Sequence, residues 1–142
     1  MKKTLIILAI LFSAQFSYSQ FSFGAGLTYD FLDDLGIKVL ASADVTDEWR
    51  GQVSYSYFFS DWALDLDAQY KLVQFDMDYE EGYILPFVGL NIDHDDRIND
   101  TDLGINLGLH LNAGFENFRI FLEPKLTLGG TGGFILSIGT MF

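Results

Sequence analysis

The stretch Leu103-Gly104-Ile105-Asn106-Leu107-Gly108-Leu109-His110-Leu111-Asn112-Ala113-Gly114-Phe115-Glu116 decides the fold class. Its odd positions are all apolar, and its even positions hold only Gly, Asn, His or Glu. Successive side chains of an extended chain point to opposite faces, so a strict period of two is the mark of a β-strand. One face of this strand is a continuous apolar strip and the other is small and polar.

The same split recurs in both directions along the chain. Phe21, Phe23, Ala25, Leu27, Tyr29 and Phe31 oppose Ser22, Gly24, Gly26, Thr28 and Asp30. Residues 37–45, 51–59, 62–72, 84–93, 118–128 and 134–142 alternate likewise, with Leu40 an apolar intruder on a polar face. That makes eight strands. Between them lie turn-forming residues: Asp33-Asp34-Leu35-Gly36, Thr46-Asp47-Glu48, Ser60-Asp61, Glu80-Glu81-Gly82, Glu116-Asn117 and Gly129-Gly130-Thr131-Gly132-Gly133, together with an acidic loop from His94 to Asp102. Such short connections imply antiparallel neighbours. The apolar parity switches between Leu72 and Val73, which predicts a β-bulge there or an early turn.

Which face is outside separates a water-soluble barrel from a membrane barrel. Gly24, Gly26, Gly89, Gly104, Gly108, Gly114 and Gly139 all lie on the polar face, where the walls of a narrow interior approach one another. The strand charges agree. Asp30, Lys38, Asp44, Asp65, Asp67, Lys71, Arg119, Glu123 and Lys125 share the polar phase, a split expected by chance roughly once in five hundred. A charge on the lipid face near the bilayer midplane costs about 2–4 kcal/mol, which accounts for such exclusion. Aromatic residues near the strand ends, Trp49, Tyr57, Trp62 and Phe142 among them, suit two interfacial girdles. The reading is an all-β, eight-stranded antiparallel up-and-down transmembrane β-barrel.

Composition fits an exported barrel. The chain has 142 residues, no Cys, and 20 acidic against 8 basic residues, a net charge of −12. Scattered Lys and Arg exclude a nucleic-acid binder, and the absence of Cys excludes thiolate metal sites and disulfides. Met1-Lys2-Lys3, an apolar run from Leu5 to Phe12 and small residues at Ser17 and Ser19 read as a signal peptide, residues 1–19, cleaved before Gln20. The barrel domain is then 20–142. An even strand number places both termini on one side, the periplasm.

These features resemble the small bacterial outer-membrane barrels: the outer-membrane protein A transmembrane domain and the outer-membrane protein X and Ail adhesin group. The terminal Phe142, after alternating Leu136-Ser137-Ile138-Gly139-Thr140-Met141, looks like the recognition signal of the barrel-assembly machinery, with Thr140 smaller than is usual at its position. Leu85-Pro86-Phe87-Val88-Gly89-Leu90 and the Gln after the cleavage site are similar to porin-family domains of Bacteroidota. The resemblance implies a monomer in the outer membrane, in contact with lipid and lipopolysaccharide.

Little catalytic chemistry is legible. His110 is the one strand histidine, and it faces inward with no phase-matched Ser, whereas barrel deacylases expose Ser and His to the membrane. Arg119, Glu123 and Lys125 are expected to form a salt-bridge network across the lumen with Asp44, Asp65, Asp67, Lys38 and Lys71. The loop Asp93–Asp102 has carboxylates suited to Ca²⁺ or Mg²⁺ but lacks the Gly and closing Glu of an EF-hand loop, so it reads as a solvated acidic loop. Gly129–Gly133 lacks a following Lys-Ser/Thr and reads as a hairpin loop. No catalytic, cofactor-binding or metal-ligating residue is assigned. The expected role is envelope structure or surface interaction, with no enzymatic activity; the alternatives are a minimal channel for ions or small solutes, and a soluble secreted lipid-binding barrel with the faces swapped.

Overall fold

The computed structural model describes residues 21–32, 35–59, 61–76, 81–115, 117–130 and 132–142. The expected leader 1–19 lies outside them, as do Asp33, Asp34, Ser60, Glu80, Glu116 and Thr131 of the expected turns. Each alternating run forms a strand: β1 Phe21–Asp30, β2 Leu35–Asp44, β3 Trp49–Tyr57, β4 Asp61–Tyr70, β5 Val73–Asp76, β6 Glu81–Asp95, β7 Asp100–Phe115, β8 Phe118–Leu128 and β9 Phe134–Met141. Apart from β4 and β5, neighbours in sequence pair antiparallel, β1 also pairs with β9, and β4 pairs with β6, so the sheet closes on itself.

The nine segments make eight staves because β4 and β5 are two parts of one. Both pair with β6, Gln69 opposite Phe87 and Val73 opposite Ile84. Four steps along one strand thus match three along the other, which is the extra residue of a β-bulge. It sits at the parity switch expected near 72–73. On the other side Lys71 keeps the β3–β4 register one step beyond the Trp49–Tyr70 pair, donating its N–H to Glu48 O at 2.8 Å.

Closure fixes the width. Paired positions lead from Phe21 through Ala43, Gly51, Ala68, Val88, Leu107, Leu126 and Phe134. The bond from Phe31 N to Phe134 O returns the path to β1 ten residues beyond its start. With strands about 4.8 Å apart and about 3.3 Å per residue, eight strands and that stagger give a tilt of about 40° and a radius of about 8 Å to the backbone. Such a lumen is filled by side chains.

The polar phase faces in. Lys38, Gln52, Asp65, His110, Glu123 and Lys125 are each at most 2% exposed, whereas Leu66, Leu90, Ile37 and Leu27 on the outer wall are more than half exposed. Apolar residues of the polar phase also enter the lumen, so Leu40 is no anomaly: it packs with Phe121 and Met141. Glycines make room for the rings. Phe121 lies opposite Gly139 and Phe87 opposite Gly108. A Cβ on Gly139 would come within 2.3 Å of Ala25 O, 2.6 Å of Gly26 Cα and 2.7 Å of the Phe121 ring.

Several connections are shorter than expected: Leu35 and Gly36 belong to β2, Asp61 to β4, and Glu81 and Gly82 to β6, and the acidic segment differs most. The segment 94–102 is mostly strand, because β6 and β7 stay paired as far as Asp95 opposite Asp100 and leave a turn of only 96–99. Asn99 takes the left-handed φ of 52° there, a conformation Asn tolerates better than most residues. We call the end bearing this turn distal, and the end bearing Phe21 and Phe142 terminal.

Candidate functional site

The lumen is the place where side chains converge, and its polar groups form two inner layers and a cluster at each mouth. In the centre, Glu123 from β8 is fully buried and accepts from three strands. Lys38 Nζ pairs with its Oε1, while Gln52 Nε2 donates to Oε2 at 3.0 Å and His110 Nδ1 lies 2.8 Å from the same oxygen. Gln69 in turn donates to Gln52 Oε1 at 3.0 Å. The β7–β8 ladder is interrupted between the Gly108–Lys125 and Leu111–Leu122 pairs, where Pro124 has no N–H to give.

Above it, Asp65 on β4 accepts from four donors: Lys125 Nζ at 2.7 Å, Ser54 Oγ at 3.1 Å, and Asn91 Nδ2 and Asn106 Nδ2 at 2.8 Å each. Asp67 has one, Asn106 Nδ2 at 3.1 Å, and its Oδ2 is buried with no hydrogen-bond partner. It fits only because Gly89 stands opposite, where a Cβ would lie 2.0 Å from Asp67 Oδ1. Buried ions are held at tolerable cost only when paired and fully hydrogen-bonded. Asp65 and Glu123 meet that condition and Asp67 does not.

The mouths differ from the centre and from each other. At the terminal end Asp44 accepts from Arg50 Nε at 3.0 Å and Lys71 Nζ at 2.7 Å. Arg119 joins them around a cavity of about 10 Å³, its guanidinium 5.9 Å from the Tyr83 ring centroid. At the distal end Arg97 bridges Asp95 and Asp61, at 3.1 and 3.3 Å. Hydrogen bonds from Arg97 hold the Asp95 carboxyl below its ordinary value. A cavity of about 20 Å³, room for about one water, lies between Asp61, Asp30 and Asp93. Among the described residues no three His, Asp or Glu side chains converge on a position that could hold a metal ion.

The expected network therefore divides. Lys38–Glu123 and Lys125–Asp65 form across the lumen; Asp44 and Lys71 belong to the terminal mouth, as does Arg119, which is not part of the central pairs. The expectation also passed over Gln52, Gln69, Asn91 and Arg50, whose polar phase marks them as inward but not their partners; His110, expected to bond Asn106, Asn112 or a carboxylate, takes the carboxylate of Glu123, while Asn106 donates to Asp65 and Asp67. His110 stacks on Phe121 with ring centroids 5.5 Å apart and an interplanar angle of 15°. Its Nε2 is buried without a hydrogen-bond partner, so the His110–Glu123 pair lacks the hydroxyl nucleophile of a hydrolytic triad.

Among solved structures, the N-terminal β-barrel domain of Pseudomonas aeruginosa OprF superimposes with a TM-score of 0.72 at 20% identity, covering 87% of this chain and 96% of that one. Ail, the attachment invasion locus protein of Yersinia pestis, aligns over 87% of this chain and 97% of its own at 15% identity, with a TM-score of 0.36. Neither a scan of protein-family models nor a search of the curated proteins finds a match. The likeness to the OprF domain shows the closed eight-stranded antiparallel barrel.

Proposed function

We propose that this chain is an integral outer-membrane barrel that serves envelope structure or surface interaction and carries out no catalysis. The observation that carries the proposal is the outer wall. Leu27, Ile37, Val53, Leu66, Leu90 and Ile105, from six different staves, all lie more than 40% exposed, and no Asp, Glu, Lys or Arg shares their outward phase within the strands. In water such a wall would drive aggregation, because soluble monomers rarely expose contiguous apolar patches beyond a few hundred Å². In lipid it is the favoured surface, and the closed sheet leaves no backbone edge unsatisfied.

The paired lumen favours a structural role over a pore. The short connections at the distal end leave little room for a large adhesive surface. With the leader removed, both termini stand in the periplasm and the distal turns face lipopolysaccharide. Phe142, 75% exposed although it pairs its backbone with Phe23, is free to be read by the barrel-assembly machinery.

Cell fractionation followed by electrophoresis with and without boiling tests this reading. The expected result is a membrane-embedded species whose mobility changes on heating, with less of it in cells carrying Phe142→Ala. Recovery of the chain in the soluble periplasm or the medium would overturn it.

A further inference from the structure

The outer wall carries a groove that the alternating pattern does not call for. Its volume is about 340 Å³, within the roughly 300–1,000 Å³ of small-molecule sites. Two cross-strand rows of outward side chains form its banks: Leu64, Ile92 and Leu103 on one side, Val53, Leu66 and Leu90 on the other. Between the rows Asp65, Asn91 and Gly104 have the inward phase, so the floor is backbone. The groove opens toward β8, because that strand ends at Leu128, two residues beyond Leu126, and the turn after it sets Gly129 and Gly130 beside Leu103 and Asp102. Glycine brings no side chain to cover that flank, and Leu103 is 73% exposed.

Directly above the groove the same two strands change character. The next outward pair after Ile92–Leu103 is His94–Thr101, about 5 Å nearer the distal end at the rise and tilt of this barrel. His94 is thus a second strand histidine, and unlike His110 it faces out. Its Nδ1 lies 2.8 Å from Thr101 Oγ1, its Nε2 3.2 Å from Asp96 Oδ1, and its ring centroid 5.3 Å from that of Trp62. The Asp96 side chain is 55% exposed. Residues 93–102 hold five Asp against Arg97 and His94. The register sets Asp95 opposite both Asp61 and Asp100, and Asp93 opposite Asp102. Like charges opposite each other on neighbouring strands repel, so this rim favours a cation brought to it and disfavours an anion.

We infer that the groove seats one hydrocarbon chain of a membrane lipid whose head carries a protonated amine, and that the amine is held at the Asp96–His94–Thr101 cluster. This rests on the membrane reading above and adds which lipid the wall selects. Apolar burial alone gives no preference in a bilayer, where lipid tails are as apolar as leucine, so shape and headgroup must choose. The groove supplies the shape: a chain lying in it touches both banks and the floor, and gains dispersion contacts that a smooth wall does not offer. The carboxylates supply the sign, drawing an ammonium and repelling a net anionic head. Leu103 and Thr101 are two residues apart on one strand face, so a single molecule reaches both parts.

Native mass spectrometry of the refolded barrel in dodecyl maltoside, mixed with phosphatidylethanolamine or phosphatidylglycerol of identical chains, tests this. One phosphatidylethanolamine is expected to stay bound per barrel, with about tenfold less phosphatidylglycerol retained. Leu103→Trp, which fills the groove from its open flank, is expected to abolish retention, with Ile92→Phe in reserve. Asp96→Lys is expected to reverse the preference, and Ile138→Trp, on β9 away from the groove, to change nothing. Folding of each variant is confirmed by the heat-dependent shift in mobility. Equal retention of the two lipids, retention undiminished by Leu103→Trp, or a preference that Asp96→Lys leaves unchanged would overturn the inference. So would retention of neither lipid by a barrel that inserts into vesicles of both. A chain that inserts into no vesicle would instead overturn the membrane reading.

Discussion

Asp65 and Asp67 stand two residues apart on the inner face of β4, yet their surroundings are opposite in kind. Asp65 takes four hydrogen bonds, one of them from Lys125, while Asp67 takes one and leaves Oδ2 unpaired. The central lumen sets three carboxylates, Asp65, Asp67 and Glu123, against two lysines, Lys38 and Lys125, so one carboxylate has no lysine of its own. Asp65→Asn strands the Lys125 ammonium in a closed interior, and breaking a buried pair in this way costs about 3–5 kcal/mol. Asp67→Asn keeps an acceptor for Asn106 and removes the surplus charge, and is expected to cost under about 0.5 kcal/mol or to stabilise. Urea unfolding of the refolded barrel in detergent checks both; a loss at Asp67→Asn equal to that at Asp65→Asn would show that Asp67 has a partner the charge count overlooks. Inward orientation of these residues is readable from parity alone. That one aspartate is satisfied and the other is not is unreadable, since both sit in the same Leu-Asp-Leu-Asp-Ala repeat.

At the scale of the strand, glycine decides how closely the walls and the rings approach. On β9, Gly139 faces Gly26 across the β1 seam and Phe121 across the β8 seam. The ring of Phe121 can reach full burial only against a wall without side chains there. Gly139→Val forces its Cβ onto backbone atoms of Ala25 and Gly26, which cannot swing aside as a side chain can. Overpacking costs about 1–3 kcal/mol where neighbours yield, so the loss here is expected at about 3 kcal/mol or above, seen as a lower urea midpoint or failure to give the heat-shifted species. Gly51 is the control: its Cβ would meet only Val45 Cγ2 at 3.6 Å, and Gly51→Ala is expected to cost less than about 1 kcal/mol. Equal effects at the two sites would mean that glycine acts through chain flexibility and not through space. The sequence placed both classes of glycine on strands, and phase separated inward Gly139 from outward Gly51. Which ring lies on which glycine required the register.

For the whole molecule, the quantity hidden from the sequence is the ten-residue stagger. Period two sorts every strand residue into wall or lumen, and the bulge near 72–73 announces itself as a change of parity. Partners distant in sequence are another matter: Lys38 and Glu123, across the lumen, are 85 residues apart, and Ser137 and Thr28, bonded at 2.9 Å across the β1–β9 seam, are 109 apart. One-residue slips in register would exchange the faces, and two-residue slips would keep the faces and reassign the pairs, so local pattern leaves those pairs undetermined. The stagger also bears on conduction. A backbone radius of about 8 Å leaves a lumen that Phe87, Phe121, Leu40 and the two lysine–carboxylate pairs fill at mid-height. Among the described residues, one cavity of about 20 Å³ lies at the distal mouth and one of about 10 Å³ at the terminal mouth, each with room for about one water. Opening a path would require parting Lys38 from Glu123 or Lys125 from Asp65 while both remain out of bulk water, at several kcal/mol per ion. Planar-bilayer recordings of the refolded barrel are therefore expected to show no steady conductance. Reproducible unitary steps from the unmodified chain, abolished by Glu123→Ala, would establish instead that the central pairs part in the folded state and that the lumen is a gated pore.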